Sequence, residues 1–191
     1  MKSERHGVVL LAAGASRRLG RAKQLVELDG ESLVHRAARF ALATQPHDSV
    51  VVLGHAAEEI ADALHGLPLR TLVCGDYAQG MGASLRAGLA ALQADCEAAL
   101  VLLCDQPGLR AEHLHALLAT WRRDPAQAVA SAYAGVRGVP ALLPRTWFAR
   151  IEAAGDRGAR AWLREDATGV IAVACEALAR DIDTPDDLRD S

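Results

Sequence analysis

Short apolar runs bounded by turn-forming residues recur along this chain, and they constrain its fold more than any other feature. Val8-Val9-Leu10-Leu11, Val50-Val51-Val52-Leu53 and Ala98-Ala99-Leu100-Val101-Leu102-Leu103 are continuous rather than alternating. A strand that reads this way is buried on both faces, the condition of a parallel sheet covered by helices. The segments between the runs carry helical spacing. Leu33, Ala37, Phe40 and Ala41 share one face; so do Ile60 and Leu64, then Leu85, Leu89 and Leu92, then Leu114, Leu117, Leu118 and Trp121. Strand followed by helix, repeated, predicts a three-layer, Rossmann-like α/β fold with a mostly parallel sheet flanked by helices. A further strand is expected over Ala128–Ala132. After Tyr133 the rhythm changes. A turn is expected at Gly135–Gly138, a strand over Val139–Leu143, helical pieces near Pro144–Ala153 and Arg157–Arg164, and a strand over Val170–Ala174.

The 191 residues show no linker, repeat or low-complexity tract, so a single domain over 1–191 is expected. A hydrophobic share of 51% against 24% charged residues excludes general disorder, and 4% aromatics leave the core to Ala, Val and Leu. Lys+Arg 21 against Asp+Glu 24 gives a formal charge of −3. That balance argues against nucleic acid, which wants a basic surface, but leaves room for a small anion held by local cations. Cys74, Cys96, Cys104 and Cys175 form no C-x-x-C pair and no zinc spacing, and read as thiols of a reducing compartment. The apolar run Val8–Ala13 is too short for a secretory leader or a membrane span, so a cytoplasmic protein is expected.

Ligands of open α/β sheets bind at the carboxyl ends of the strands, so the loops there are the candidates for chemistry. The loop after the first strand runs from Leu11 through Ala12, Ala13, Gly14, Ala15 and Ser16 to Gly20 and Lys23. Its small residues allow close backbone approach, Gly14 and Gly20 permit positive φ, and successive N–H groups there can form an anion nest. Arg17, Arg18, Arg21 and Lys23 place four cations within seven residues, and Lys23 is one of only two lysines in the chain. A compact ammonium suits a phosphate oxygen. The spacing fits neither the dinucleotide fingerprint nor the P-loop.

A second loop carries Gly80-Met81-Gly82 ahead of a helix expected to begin near Ser84. It can take an anion or a base edge, and by itself reads equally as a plain helix cap. A third follows the most apolar strand as Cys104-Asp105-Gln106-Pro107. An acid there needs a cation or a metal, and Mg²⁺ takes one or two carboxylates plus phosphate oxygens. Near the C-terminus, alternation across a short strand puts Asp181 and Asp183 on one side, although that segment alone reads as a solvated acidic tail. His113 and His115, two apart on a helix, face different ways and read as surface residues.

Taken in order, these pieces resemble the MobA-like nucleotidyltransferases, small Rossmann-like enzymes that attach a nucleotide to the molybdenum cofactor. The family pattern L-A-[AG]-G-x-S-x-R-[ML]-G-x-x-K is met by Leu11 through Lys23, and G-M-G-x-S by Gly80 through Ser84. D-x-P is met by Asp105 to Pro107, G-x-P by Gly138-Val139-Pro140, G-D-x-G-A-R by Gly155 through Arg160, and D-x-D-T-P-x-D by Asp181 through Asp187. Ala12-Ala13-Gly14, with the second and fifth of these patterns, is similar to the cytidylyl branch; Val139 stands where a polar residue is common.

The resemblance implies attack by the terminal phosphate of molybdopterin on the α-phosphorus of a nucleoside triphosphate, CTP being favoured, with release of pyrophosphate. It implies nucleotide contacts from Leu11, Ala12, Ala13, Gly14, Ala15, Ser16, Arg18, Gly20, Lys23, Gly80, Met81, Gly82, Ser84 and Asp105. Lys23, Arg18 and Asp105 would carry catalysis, Asp105 and Asp183 would hold Mg²⁺, and Gly138, Pro140 and Arg160 would meet the pterin. A molybdoenzyme would accept the finished cofactor. Three alternatives stay open: transfer from GTP to the same cofactor, a sugar- or alcohol-phosphate nucleotidyltransferase of the same fold, and a non-catalytic molybdopterin chaperone.

Overall fold

The computed structural model describes residues 5–16, 19–153, 163, 169–182 and 187. Along the chain run β1 (His6–Leu11), β2 (Glu27–Leu28), β3 (Glu31–Ser32), α1 (Leu33–Leu42), β4 (Asp48–Leu53), α2 (Ala57–Ala63) and β5 (Arg70–Val73). There follow α3 (Met81–Ala91), β6 (Ala98–Leu103), α4 (Ala111–Trp121), β7 (Ala128–Tyr133), β8 (Val136–Pro144), α5 (Phe148–Ala153) and β9 (Val170–Ala174). Seven strands form one sheet in the order β5-β4-β1-β6-β8-β7-β9. The β1, β4, β5 and β6 pairings are parallel, as is β7 with β9, whereas β8 runs antiparallel to both its neighbours.

The continuous apolar runs are explained by two cores, one on each face of the sheet. Val8, Leu10, Val51, Leu53, Leu100 and Leu102 pack with Val34 of α1, Ile60 of α2, and Leu114, Leu117 and Trp121 of α4. Their chain neighbours Val9, Leu11, Val50, Val52, Ala99 and Val101 pack with Leu85 and Leu89 of α3 and Ile151 of α5. Because successive side chains of a strand point to opposite faces, every position of a central strand has to be apolar. This is the expected three-layer, Rossmann-like arrangement.

Where the structure departs from the expectations, local chemistry gives the reason. β5 is an exposed edge strand whose Arg-Thr-Leu-Val sequence carries no apolar run. β2 and β3 form a hairpin across Asp29 and Gly30, both at positive φ. The turn expected at Gly135–Gly138 is tighter: Ala134 and Gly135, at φ 47 and 71, make it alone, and Val136–Gly138 already belong to β8. Positive φ at both central residues matches the twist of the flanking strands. Asp181 and Ile182 lie in no strand; Ile182 is buried and donates its N–H to Asp105 O at 2.9 Å.

His113 is buried rather than on the surface, because it shares the inner face of α4 with Leu117 one turn on. It hydrogen-bonds Ser131 Oγ at 2.8 Å, and burial pushes its pKa down. His115 is exposed, as read. All four cysteines are free thiols. Among the described residues, no helix is long and apolar enough to cross a membrane.

The helix α3 presses closely on the sheet: a Cβ at Gly88 would lie 2.4 Å from Val9 Cγ1 and 2.9 Å from Val52 Cγ2. Gly88→Ala should gain about 1 kcal/mol in helix propensity and lose more through overpacking. The expected net is a loss of about 1–2 kcal/mol in urea unfolding. Unchanged or increased stability would mean that α3 can back away from β1 and β4.

Candidate active site

The register Leu11↔Leu103 sets the ends of β1 and β6 side by side, so the loops that follow them leave the sheet together. They open into a cavity of about 250 Å³ lined by Leu11, Ala13, Gly14, Lys23, Gln24, Tyr77, Gly80, Met81, Ser84, Leu103, Cys104 and Asp105. Three of the loops singled out in the sequence therefore meet in one place, at the carboxyl ends of adjacent parallel strands.

In the loop after β1 the carbonyls turn into the protein. Ala13 O accepts from His55 N at 3.2 Å. Ala12 O and Gly14 O each accept from the Gln24 amide, at 2.8 Å. Left-handed backbone falls at Ser16 (φ 49) and Gly20 (φ 73); Gly14 does not use it. A non-glycine residue at such a φ needs support, and Ser16 Oγ accepts from Lys23 N at 3.1 Å.

Lys23 Nζ is paired directly with Asp105 Oδ2, the two side chains being 18% and 11% exposed. The other carboxylate oxygen, Asp105 Oδ1, is buried and has no hydrogen-bond partner among the described residues. The cavity wall is completed by Tyr77, whose ring covers Gly54 so closely that a Cβ there would come within 2.5 Å of Tyr77 Cγ and 2.8 Å of Ala13 O. The helix α3 begins at Met81, earlier than expected, with Gly80 (φ 117) at its N-cap. Ser84 is thus a buried residue of the first turn rather than the cap, and Met81 stands 57% exposed at the cavity mouth.

Beside this cavity lies a second cluster. Pairing passes from Ala130↔Ala141 straight to Ser131↔Gly138, so Val139 and Pro140 have no counterpart in β7. Side chains take over the work of the missing ladder. Val139 O accepts from Tyr133 Oη at 3.0 Å and from Gln106 Nε2 at 3.2 Å, and Pro140 O accepts from Ser131 Oγ at 2.6 Å. Gln106 Nε2 also lies 3.3 Å from Tyr133 Oη and 3.4 Å from Leu178 O. The residue next to Asp105 thereby ties the Asp105 loop to the Gly138–Pro140 bulge.

The cavity brings together Leu11, Ala13, Gly14, Lys23, Gly80, Met81, Ser84 and Asp105 of the expected set. Ala12, Ala15, Ser16, Gly20 and Gly82 do not line it, and neither do Gly138 and Pro140, which flank the Val139 carbonyl that Gln106 binds. Arg18, Arg160 and Asp183 lie outside the described residues. Gln24, Tyr77, Leu103 and Cys104 line the cavity unforeseen. Gln24 carried a signal: a glutamine directly after Lys23, in a segment that has to turn beneath the loop. Cys104 is no nucleophile, since burial pushes its thiol up to about 12.

Among the described residues no group of three or more His, Cys, Asp or Glu side chains converges on a metal position. The unpartnered Asp105 oxygen instead fits a hard ion that takes one or two carboxylates and completes its shell with phosphate oxygens.

Fold and cavity together define an open α/β protein with its ligand site above the central strands. The chain belongs to the MobA-like NTP transferase domain family, whose profile matches residues 8–170. It is 36% identical over 188 residues to nicotine blue oxidoreductase of Paenarthrobacter nicotinovorans, covering 92% of this chain and 91% of that protein. It is 31% identical over 191 aligned positions to the purine catabolism protein PucB of Bacillus subtilis, covering 94% and 92%. The crystal structure of Rv0371c from Mycobacterium tuberculosis superposes with a TM-score of 0.85 at 26% identity, over 100% of this chain and 98% of that one. A further structure of Rv0371c is a complex with manganese (TM-score 0.77, 24% identity, 97% of each chain).

Gln106→Leu should cost about 1–3 kcal/mol in urea unfolding, because it strips the donor from the buried Leu178 carbonyl and one of two donors from the half-buried Val139 carbonyl. A loss below about 0.5 kcal/mol would mean that the amide does not hold the bulge.

Proposed function

We propose that this protein transfers CMP from CTP to the terminal phosphate of molybdopterin and releases pyrophosphate. The observation that carries the reading is the Lys23–Asp105 pair set in a cavity beneath a loop of small residues whose carbonyls face away. Membership of the MobA-like family supports nucleotidyl transfer, and the run of family patterns from Leu11 to Asp187 supports the molybdenum cofactor as acceptor. Ala12-Ala13-Gly14 supports cytosine over guanine.

In the reaction, an acceptor phosphate oxygen forms a bond to the α-phosphorus while the bond from that phosphorus to the α–β bridging oxygen breaks. The electron pair leaves with pyrophosphate. The nucleophile is already anionic, so the protein need not remove a proton; its task is positioning and charge neutralisation. The N–H groups of residues 13–16 hold the triphosphate. Lys23 and Arg18 neutralise its β- and γ-oxygens and the departing pyrophosphate. Asp105, with Asp183, would hold a Mg²⁺ ion, which would supply charge neutralisation at the reacting phosphate. Gly80, Met81 and Ser84, at the start of α3, would contact the nucleoside, and Gly138, Pro140 and Arg160 would be the residues for the pterin.

A buried carboxylate cannot stand without a cation. In the free protein Lys23 fills that need. With a triphosphate bound, the Lys23 ammonium would be free to neutralise phosphate oxygens, and the Asp105 carboxylate would be left to hold a divalent cation. Each charge keeps a partner throughout.

The relative named nicotine blue oxidoreductase favours a second reading, an oxidoreductase. One assay separates the two. The protein is incubated with Mg²⁺, molybdopterin and CTP, GTP or ATP, and pyrophosphate is measured; NADH and NADPH consumption is followed in parallel. Pyrophosphate is expected with CTP, and Lys23→Ala and Asp105→Ala should each lower its release ~10²–10³-fold while remaining folded. Release with GTP would move the protein to guanylyl transfer. Cofactor oxidation without pyrophosphate would establish the second reading, and near-normal release by either variant would remove that residue from the site.

A further inference from the structure

We propose that Gln24 is a positioning residue that shapes residues 12–16 into a polyphosphate-binding loop, an inference that rests on the triphosphate reading of the cavity. Gln24 is 1% exposed and follows Lys23 in the 3-10 turn Lys23–Leu25. Both N–H donors of its amide face main-chain carbonyls, Ala12 O and Gly14 O, each at 2.8 Å. That fixes the amide's orientation, because the flipped form would set oxygen against two oxygens. Its Oε1 lies 3.4 Å from Ser16 Oγ, the hydroxyl that also accepts from Lys23 N at 3.1 Å. Gln24 thus touches three of the five residues in the loop, including the left-handed Ser16 (φ 49).

The geometry of the peptide group turns these bonds into a binding property. In a trans peptide the N–H of one residue points opposite to the carbonyl of the residue before it. Capturing Ala12 O and Gly14 O on one buried amide therefore turns the N–H groups of Ala13 and Ala15 the other way, side by side. His55 N captures Ala13 O from a different direction. Two N–H groups aimed together from alternate residues make a concavity for an anion, and Ala13 and Gly14 line the cavity that Lys23 also enters. One short segment, Lys23-Gln24, then supplies both the ammonium and the shape of the backbone donors.

The test compares wild type with Gln24→Leu, which removes the donors, and Gln24→Glu, which sets a carboxylate against the two carbonyls. Gly88→Ala, a packing change away from the cavity lining, serves as the control for lost stability. Tripolyphosphate and CTP binding are measured by calorimetry, and backbone order parameters at residues 13–16 by ¹⁵N relaxation. Both Gln24 variants should lose about tenfold or more in affinity for tripolyphosphate and for CTP. Order parameters should fall in the loop and hold in β1, while Gly88→Ala binds within about twofold of wild type. Affinity kept by Gln24→Leu, unchanged loop order, or an equal loss in Gly88→Ala would overturn the proposal. Wild type that binds no polyphosphate would defeat the triphosphate reading instead; unchanged loop order in the variants would still overturn the role of Gln24.

Discussion

A carboxylate at the carboxyl end of a buried strand has to be neutralised where it stands, and the arrangement of this protein's upper face follows from how that is done. Asp105 ends the most apolar strand of the sheet, and Lys23 reaches it from the segment that closes the loop after β1. The two meet because β1 and β6 are neighbours in parallel register. Burial makes the pair matter: with little solvent to screen either charge, removing one partner strands the other. A group that needs a cation, yet keeps one buried oxygen without a partner among the described residues, is suited to exchanging one cation for another.

The rest of the fold holds this pair and its loops in place. Apolar packing on both faces leaves the central strands little freedom, and α3 presses against β1 and β4 through a glycine that leaves no room for a methyl group. Polar side chains then perform local tasks that strand pairing cannot. The Gln24 amide takes the inward carbonyls of the first loop, and the Gln106 amide takes Val139 O of the β8 bulge and Leu178 O near the C-terminus. Each of these glutamines directly follows one member of the ion pair. The chain thus places each charge next to the residue that fixes its loop.

Much of this was legible in the sequence, and the parts that were not share a cause. The central strands declared themselves because burial on both faces forces unbroken apolar runs. The loops after β1 and β6 stood out through glycine, cation and acid at strand ends. Strand β5 did not, because an exposed edge imposes no pattern on Arg70–Val73. The helix α3 begins about one turn before Ser84, since Gly80 rather than a hydroxyl residue caps it. A spacing of two places His113 and His115 on different faces without saying which faces inward, and it is His113 that does. Gln24 and Gln106 sit beside the two charged residues in the sequence, but the carbonyls they bind are brought close only by folding.

The exchange of cations at Asp105 is tested most directly by Mn²⁺ binding, followed by electron paramagnetic resonance, with and without a CTP analogue that cannot be cleaved between its α- and β-phosphates. If Lys23 occupies Asp105 until a triphosphate draws it away, Mn²⁺ should bind the free protein weakly and the analogue-loaded protein at least about tenfold more tightly. Lys23→Met, which leaves Asp105 without its resident cation, should bind Mn²⁺ more tightly than wild type when no nucleotide is present. Equal Mn²⁺ affinity with and without the analogue, together with no gain in Lys23→Met, would contradict the exchange.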